Sequence, residues 1–376
     1  MQVTVSKKDL VRVLARCQGV ADKKSTMPVL GNVLLEASKE GLRVAATDLY
    51  LAVSGTIEAQ LEKPGSVAVP ARDLFDRVKM MPDGQVSIAV GDNAATVLRA
   101  VGSARRYTLH GLPGDEFPTL PAPDPSSDEF ELGATSLAKL ISATHFSIST
   151  DETRLHLNSA LFEWDAERVR MVTTDGHRLS KIEIRADNPK SPVSMLIPLK
   201  GVQELRRLCD EAIAVDAAAT LHMVKSGANV FFTAAGFRFS VKLVEAQFPP
   251  YQQVIPETSA RVVRAPRAQV SDALKAVSLA ASDRTGGVKL TLSGGNLRFE
   301  SESPESGEGF DEVPVDYDGE EITVGFNARY FLDAAMAIET DELLLAISGE
   351  LDPAVLRPGG PATNLDYLAV VMPMRI

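Results

Sequence analysis

Along most of the chain Val, Ile, Phe and Tyr recur at every second position. The stretches QVSIAV, TVLRAV, RRYTLHGL, NVFFTAA and FRFSVKLV all show this alternation. A period of two predicts half-buried strands with one face on a core. Interspersed are short segments whose apolar residues recur at spacings of three and four, such as Leu10, Val13 and Leu14, or Leu137, Leu140 and Ile141. That spacing places them along one side of a helix, which is expected to lie against a sheet.

The order of these elements repeats. A strand followed by a helix begins with VTVSKKDLVRVLAR at Val3, EFELGATSLAKLISA at Glu129 and RVVRAPRAQVSDALKA at Arg261. A second such unit follows each of them: VAVPARDLFDRVK from Val67, MLIPLKGVQELRRL from Met195 and ITVGFNARYFLDA from Ile322. Thr47-Asp48 in LRVAATDLYL aligns with Thr174-Asp175 in VRMVTTDGHRL, 127 residues later, and LRFESE at Leu297 stands 255 residues after Leu42. Two steps of that size fill the chain, so it is read as three copies of one unit. The joins FPTLPAPDPSSD from Phe117 and FPPYQQVIPETS from Phe248 are Pro-rich and polar, as linkers are. The expected domains are therefore 1–124, 125–255 and 256–376. The expected fold class is α+β, three similar domains of antiparallel sheets with helices on one face, arranged as a modular array or a ring.

Composition adds that the chain is globular: 376 residues, 45% hydrophobic and 24% charged. No run of about 18 apolar residues occurs, and MQVTVSKKDL lacks the apolar stretch of a signal peptide, which predicts a cytosolic protein with no membrane span. Cys17 and Cys209 are far apart in sequence with no second Cys nearby, so neither a disulfide framework nor a cysteine metal site is expected.

Charge changes the picture more. The formal net charge of −11, if evenly spread, would argue against a nucleic-acid partner. It is not evenly spread. The six segments expected to hold helices (6–24, 71–79, 135–143, 199–211, 264–276 and 327–340) together carry +7, leaving −18 for the rest. One reading is that Lys and Arg simply occupy solvated helix faces. The other is that the helical layer faces a polyanion and contacts its backbone without reading sequence. There is no zinc-finger spacing, no aromatic platform and no heptad with a basic arm.

The most chemically suggestive stretch is TTDGHRLSK at 173–181, where Asp175 and His177 flank Gly176. A carboxylate beside an imidazole could serve acid–base catalysis in a hydrolase or lyase. The chain otherwise lacks a Gly-x-Ser-x-Gly elbow, a His-Glu-x-x-His pair, a Walker loop and Gly-x-Gly-x-x-Gly. Its five histidines, at 110, 145, 156, 177 and 222, show no close metal-ligand spacing. The first copy keeps Thr47-Asp48 but continues Leu49-Tyr50, so Thr-Asp reads as scaffold and Gly-His-Arg as particular to the second copy. RPGGPATN at 357–364 reads as a loop. A scaffold that binds protein peptides and no polyanion is a further alternative, but it would not need the basic helices.

MPVLGNVLL from Met27, ATDL from Ala46, VPARDLFD from Val69, ATHFSIS from Ala143, TTDGHRLS from Thr173, VGFNARY from Val324 and the terminal VVMPMRI together resemble the β sliding clamps of bacterial replicative DNA polymerases, over the whole chain. The resemblance implies a ring-shaped homodimer of three-domain subunits around double-stranded DNA. It also implies a non-catalytic processivity factor with no cofactor and no metal. Its partners would be the replicative polymerase, the clamp loader and repair polymerases, bound through short Leu/Phe peptides. The peptide cleft would be formed by Arg154, Leu157, Thr174, Gly176, His177, Arg178, Leu179, Pro249, Val254, Tyr330, Val370, Met372, Pro373, Met374 and Arg375. In it Gly176 would permit a tight turn, His177 and Arg178 would be polar walls and Leu179 a floor, while the methionines would adapt to several partners. His156 stands where Tyr is familiar in the family, and Gln253 where Arg is. For DNA contact the resemblance points to Lys24 and Arg72, and charge alone adds Lys7, Lys8, Arg12 and Lys23. The subunit contact would run head to tail, with Arg105, Arg106, Tyr107, Leu109 and Leu279 at it and the acidic ESESPESGEGFDE from Glu300 facing the arginines.

Overall fold

In the computed structural model, residues 1–186, 192–282, 286–360 and 365–375 are described. The first third holds β1 (Gln2–Ser6), α1 (Lys7–Val20), β2 (Asn32–Ser38), β3 (Gly41–Thr47), β4 (Leu51–Ile57), β5 (Ala59–Lys63), β6 (Gly65–Pro70), α2 (Ala71–Lys79), β7 (Gln85–Val90), β8 (Ala95–Ala100), β9 (Arg106–His110) and β10 (Leu112–Pro113). The middle third follows with β11 (Glu129–Gly133), α3 (Ala134–Ser142), β12 (Ser159–Trp164), β13 (Arg168–Thr174), β14 (Arg178–Arg185), β15 (Val193–Pro198), α4 (Leu199–Val215), β16 (Thr220–Ser226), β17 (Asn229–Ala234) and β18 (Phe237–Lys242). The last third holds β19 (Arg261–Pro266), α5 (Arg267–Ser278), β20 (Gly287–Ser293), β21 (Asn296–Ser303), β22 (Gly307–Pro314), β23 (Ile322–Asn327), α6 (Ala328–Ala337), β24 (Glu342–Ile347), β25 (Ala354–Pro358) and β26 (Leu365–Val371).

Strand order shows the repeat more clearly than the sequence does. One sheet of each copy runs β1-β7-β8-β9, β11-β16-β17-β18 and β19-β24-β25-β26; the other runs β6-β2-β3-β4, β15-β12-β13-β14 and β23-β20-β21-β22. Consecutive copies share sheets. β4 pairs antiparallel with β18, and β14 with β26, giving continuous sheets of nine and eight strands. This places the middle copy in both compact units: one unit comprises 1–135 with 204–243, the other 136–203 with 244–376. Backbone pairing across each seam binds half of one copy to half of the next.

Local chemistry fixes the element ends. Three of the strand-to-helix junctions end the strand on Pro70, Pro198 or Pro266, whose fixed φ suits a helix start while its missing N–H ends the ladder. Asn327 caps α6, its side chain accepting from the N–H groups of Arg329 and Tyr330. The helical stripes read from sequence are core: Leu10, Val13, Leu14, Leu137, Leu140 and Ile141 are all nearly solvent-free. In the first unit α1 packs on β3, β4 and α2; in the second α5 packs on β21, β22 and α6.

Two expectations shift. Arg264 lies on β19, Asp22, Lys23 and Lys24 follow the end of α1, and Glu339 follows the end of α6, so the observed helices carry +6 rather than +7. The layer is still basic, but Arg16 is internal: it is 8% exposed, donates Nη2 to the Glu204 carbonyl at 3.0 Å, and pairs with Glu204 and Glu211 at 3.6 Å. Burial lowers its pKa, and the two glutamates oppose that shift. At the end of the chain β26 stops at Val371, since Pro373 has no N–H to extend a ladder. Of the glycine-rich stretch 357–364, the last four residues lie outside the described ones.

Candidate functional site

The turn between β13 and β14 is built by Thr174 and Asp175. Thr174 Oγ1 donates to the Arg178 carbonyl at 2.6 Å and accepts from Gly176 N at 3.1 Å; Asp175 Oδ1 accepts from the N–H groups of His177 and Arg178 at 2.9 and 3.0 Å. The remaining oxygen, Oδ2, accepts from Arg178 Nε at 3.0 Å. Both oxygens of Asp175 thus hold backbone and Arg178, and the exposed His177 imidazole receives nothing from them. The acid–base pair suggested by the sequence does not form. The first copy makes the same turn, with Thr47 Oγ1 donating to the Leu51 carbonyl and Asp48 Oδ1 accepting from Tyr50 and Leu51, so Thr-Asp is scaffold in both. Even the link to the neighbouring strand repeats: Lys242 N donates to the Tyr50 carbonyl at 2.7 Å, and Met372 N to the His177 carbonyl at 2.9 Å.

What differs is the side chains on this frame. The position after Asp has positive φ in both copies, +75° at Leu49 and +94° at Gly176; in the second copy a glycine leaves the space over the turn open. Where the first copy buries Leu51, the second has Arg178. Beside this turn lies a cavity of about 260 Å³. Of the expected residues, Arg154, Leu157, Thr174, Gly176, Arg178, Leu179, Pro249, Val254, Val370 and Met372 line it, joined by His156 and Gln253. Its wall is mostly apolar, and Met372 and Val254 remain 39% and 45% exposed. Arg154 reaches over the turn to the Asp175 carbonyl at 3.4 Å.

His177, Tyr330, Pro373, Met374 and Arg375 are not in the lining. His177 and Arg375 are exposed nearby, Met374 N donates to the Gly325 carbonyl at 2.8 Å, and Tyr330 lies behind Arg178, whose guanidinium stacks on its ring at 4.4 Å. Arg178 is accordingly more internal than a polar wall. Sequence reading missed Pro250 and Tyr251 because FPPYQQ reads as a linker, yet Tyr251 is 5% exposed and packs with Leu161, Val172, Leu179, Leu196 and Val370. The Tyr251 hydroxyl donates to Glu163 at 3.3 Å, and burial together with that carboxylate raises its pKa.

Lys8, Lys23 and Lys24 are exposed, and Arg72 on α2 is 63% exposed at 3.6 Å from Asp76. Lys7 pairs with Asp83 at 2.9 Å, and Arg12 is held by Glu211 at 2.7 Å and lies over the Phe237 ring. These two are therefore partly neutralised within the chain. At the expected subunit contact, β9 is an edge strand carrying exposed Arg106, with Arg105 exposed just before it and Tyr107 half-buried. Leu109 faces its own core at 4% exposure, whereas Leu279 is 83% exposed. β22 is also an edge, bearing Glu308, Asp311, Glu312 and an exposed Phe310. Among the described residues no group of His, Cys, Asp and Glu could hold a metal ion, and no helix is long and apolar enough to cross a membrane.

Comparison with known proteins gives the same architecture a lineage. The DNA polymerase III beta subunit is matched in three parts, its N-terminal domain at residues 1–121, its central domain at 131–250 and its C-terminal domain at 252–375. The beta sliding clamp of Pseudomonas putida is 32% identical over the full length of both chains. The crystal structure of the DNA polymerase III subunit beta from Pseudomonas aeruginosa superposes with a TM-score of 0.92 at 31% identity, covering both chains completely. That of the Bartonella birtlesii sliding clamp bound to griselimycin does so with 0.92 at 34%, again over both complete chains. With three matched domains that together span nearly the whole sequence, this chain belongs to the DNA polymerase III beta subunit family, the beta sliding clamps.

Proposed function

We propose that two copies of this chain close head to tail into a ring around duplex DNA and that the cavity beside the β13–β14 turn docks short Leu/Phe peptides of the replicative polymerase, the clamp loader and repair polymerases. The chain is a non-catalytic processivity factor of DNA replication, acting in the cytoplasm. The observation that carries the ring is the incomplete third seam. Within the chain the last strand of one copy's second sheet pairs with the last strand of the next copy's first sheet, β4 with β18 and β14 with β26. By the same rule β22 needs a β9, and both are unpaired edges. An edge of this kind is a template for another chain. A head-to-tail contact that closes after two copies gives a ring.

Exposed apolar residues lie where that rule needs them: Leu279 at the end of α5 and Phe310 on β22, and Met80 and Val101 beside β9. The acidic β22 would face Arg105 and Arg106, favouring this register. Inside such a ring Lys8, Lys23, Lys24 and Arg72 would meet phosphates without reading bases, and the acidic remainder would limit stray adhesion. The apolar cavity with Met372 at its rim suits a Leu or Phe side chain of an extended peptide.

One assay addresses the cleft: fluorescence polarisation of a labelled peptide of the type Gln-Leu-x-Leu-Phe against the parent chain and its Met372→Ala and Val254→Ala variants. Saturable binding weakened by both changes is expected; absence of saturable binding to the parent overturns the peptide reading. For the ring, native mass spectrometry of the parent should give a dimer, and Leu279→Asp with Phe310→Asp should give monomer. A parent that stays monomeric at every concentration overturns it.

A further inference from the structure

We infer that Asp333 on α6 is a positioning residue of the peptide cleft, which it serves by holding Arg178. The inference rests on the peptide reading above. At the first seam the position of Arg178 is a buried leucine, Leu51, which packing alone keeps in place. An arginine there needs polar partners, and it has them. Nε is taken by Asp175, Nη1 by Asp333 at 2.6 Å and Nη2 by the Phe146 carbonyl, while the guanidinium plane lies 4.4 Å from the Tyr330 ring centroid and 5.6 Å from that of Phe146. Of these partners Asp175 belongs to the same turn and moves with it. Asp333 is the carboxylate that ties the guanidinium to a different element, and α6 is fixed by its Asn327 cap.

This tie matters because the ring contacts leave the guanidinium free to turn in its own plane. Asp333 and Phe146 also line a second cavity, of about 370 Å³, whereas Arg178 lines the first. The ion pair thus stands between the two cavities, and while the Tyr330 and Phe146 rings support the guanidinium plane, its direction within that plane is set by charge-assisted hydrogen bonds. The bland reading of Asp333 is a surface pair with Arg329, four residues earlier on α6. That pair measures 4.0 Å with Arg329 85% exposed, against 2.6 Å to an Arg178 side chain that is 10% exposed. A long, exposed pair contributes little, and a short, sheltered one contributes more.

Release of Arg178 would let its side chain swing into the cavity that the peptide fills. The test is peptide affinity, measured by fluorescence polarisation on the full-length chain, for Asp333→Asn, Asp333→Glu, Arg178→Leu and the double variant Asp333→Asn with Arg178→Leu. Thermal melting of each variant separates folding from binding, and a crystal structure of Asp333→Asn locates the guanidinium. Asp333→Asn should weaken the peptide about tenfold, a typical coupling within one charged network. Asp333→Glu should recover part of the loss, and Asp333→Asn should cost nothing further once Arg178 is leucine. The inference falls if Asp333→Asn binds within about twofold of the parent, or if its effect persists undiminished in the Arg178→Leu background. If the parent itself binds no peptide, the cleft reading fails separately. The positioning role is then judged on the crystal structure alone, where an Arg178 unmoved from Tyr330 overturns it.

Discussion

The turn over the cavity offers a controlled comparison, because the molecule contains it twice. Gly176 has φ +94° and Leu49, at the matching place in the first copy, has φ +75°; the hydrogen bonds around them are the same. Gly176→Leu therefore copies a solution the fold already contains. A side chain in the left-handed region costs about 1–2 kcal/mol, and removing a glycine from the unfolded chain returns about 0.4–1 kcal/mol. The net loss should be roughly 0.5–1.5 kcal/mol, an apparent Tm lower by about 1–5 °C. A Cβ at Gly176 would come within 3.3 Å of Arg154 Nη2, the mobile end of an exposed side chain that can yield. Peptide binding should suffer far more, since the leucine would stand where the cavity opens. Differential scanning calorimetry and fluorescence polarisation on the same preparation read both quantities. Unchanged peptide affinity alongside the small loss of stability would show that ligands do not pass over this turn. A loss of more than about 4 kcal/mol, beyond what strain at one residue supplies, would refute the equivalence of the two turns.

Other consequences follow from buried charge. Glu204→Gln leaves the internal Arg16 with only Glu211 as a charged partner, and removing one member of a buried pair should cost about 3 kcal/mol in urea unfolding; a change below about 1 kcal/mol would place the network in effective contact with water. Glu183 is nearly solvent-free, and although burial alone would raise its pKa, Lys181, Arg168 and Arg170 hold it below the usual carboxylate range. A depressed carboxylate stabilises the fold above its unfolded pKa and loses that contribution as pH falls through the folded one. The urea midpoint of the parent should thus drop more steeply on acidification than that of Glu183→Gln, and parallel pH profiles would contradict this. Burial pushes the Cys17 and Cys209 thiols up to about 12, so a thiol reagent at neutral pH should label them only as fast as the chain unfolds. Rapid labelling of either in native buffer would show that its surroundings open.

How much of this was legible in the sequence depends on the range of the interaction involved. Alternation and three-and-four spacing located the strands around QVSIAV and FRFSVKLV and the buried faces of α1 and α3, because those patterns record which side of an element meets a core. The three copies could be read because each strand-to-helix junction recurs in the same order. The seams could not, since an antiparallel pairing such as β14 with β26 joins residues nearly two hundred positions apart and leaves no local mark. For the same reason Tyr251 looked like part of a linker: only the cluster beneath it, drawn from both copies of the second unit, shows it as core. Arg178 was expected as a polar wall, a more exposed position than the one it takes, because its partner Asp333 lies 155 residues further on. Charge counting had a similar limit. Arg12 and Arg16 enter the helical total together with Glu204 and Glu211 of α4, and the sum does not reveal that these four charges are spent on one another within the fold.

The repeat also explains why one seam of the chain carries the cavity. The backbone frame is shared: the Thr-Asp turn and the N–H donated by the neighbouring strand are present at both seams. At the first, Leu49 and Tyr50 stand over the turn, Leu51 fills the position beneath, and Lys242 lies over the Tyr50 ring at 5.7 Å. At the second, glycine removes the cover and arginine turns its guanidinium toward Asp333 of α6. The cavity beside this turn measures about 260 Å³, with Gly176 and Arg178 in its lining. A repeated backbone frame thus carries an open cavity at one turn and a covered turn at the other. Putting Leu49, Tyr50 and Leu51 onto the second turn should close the cavity without altering the sheet that carries it.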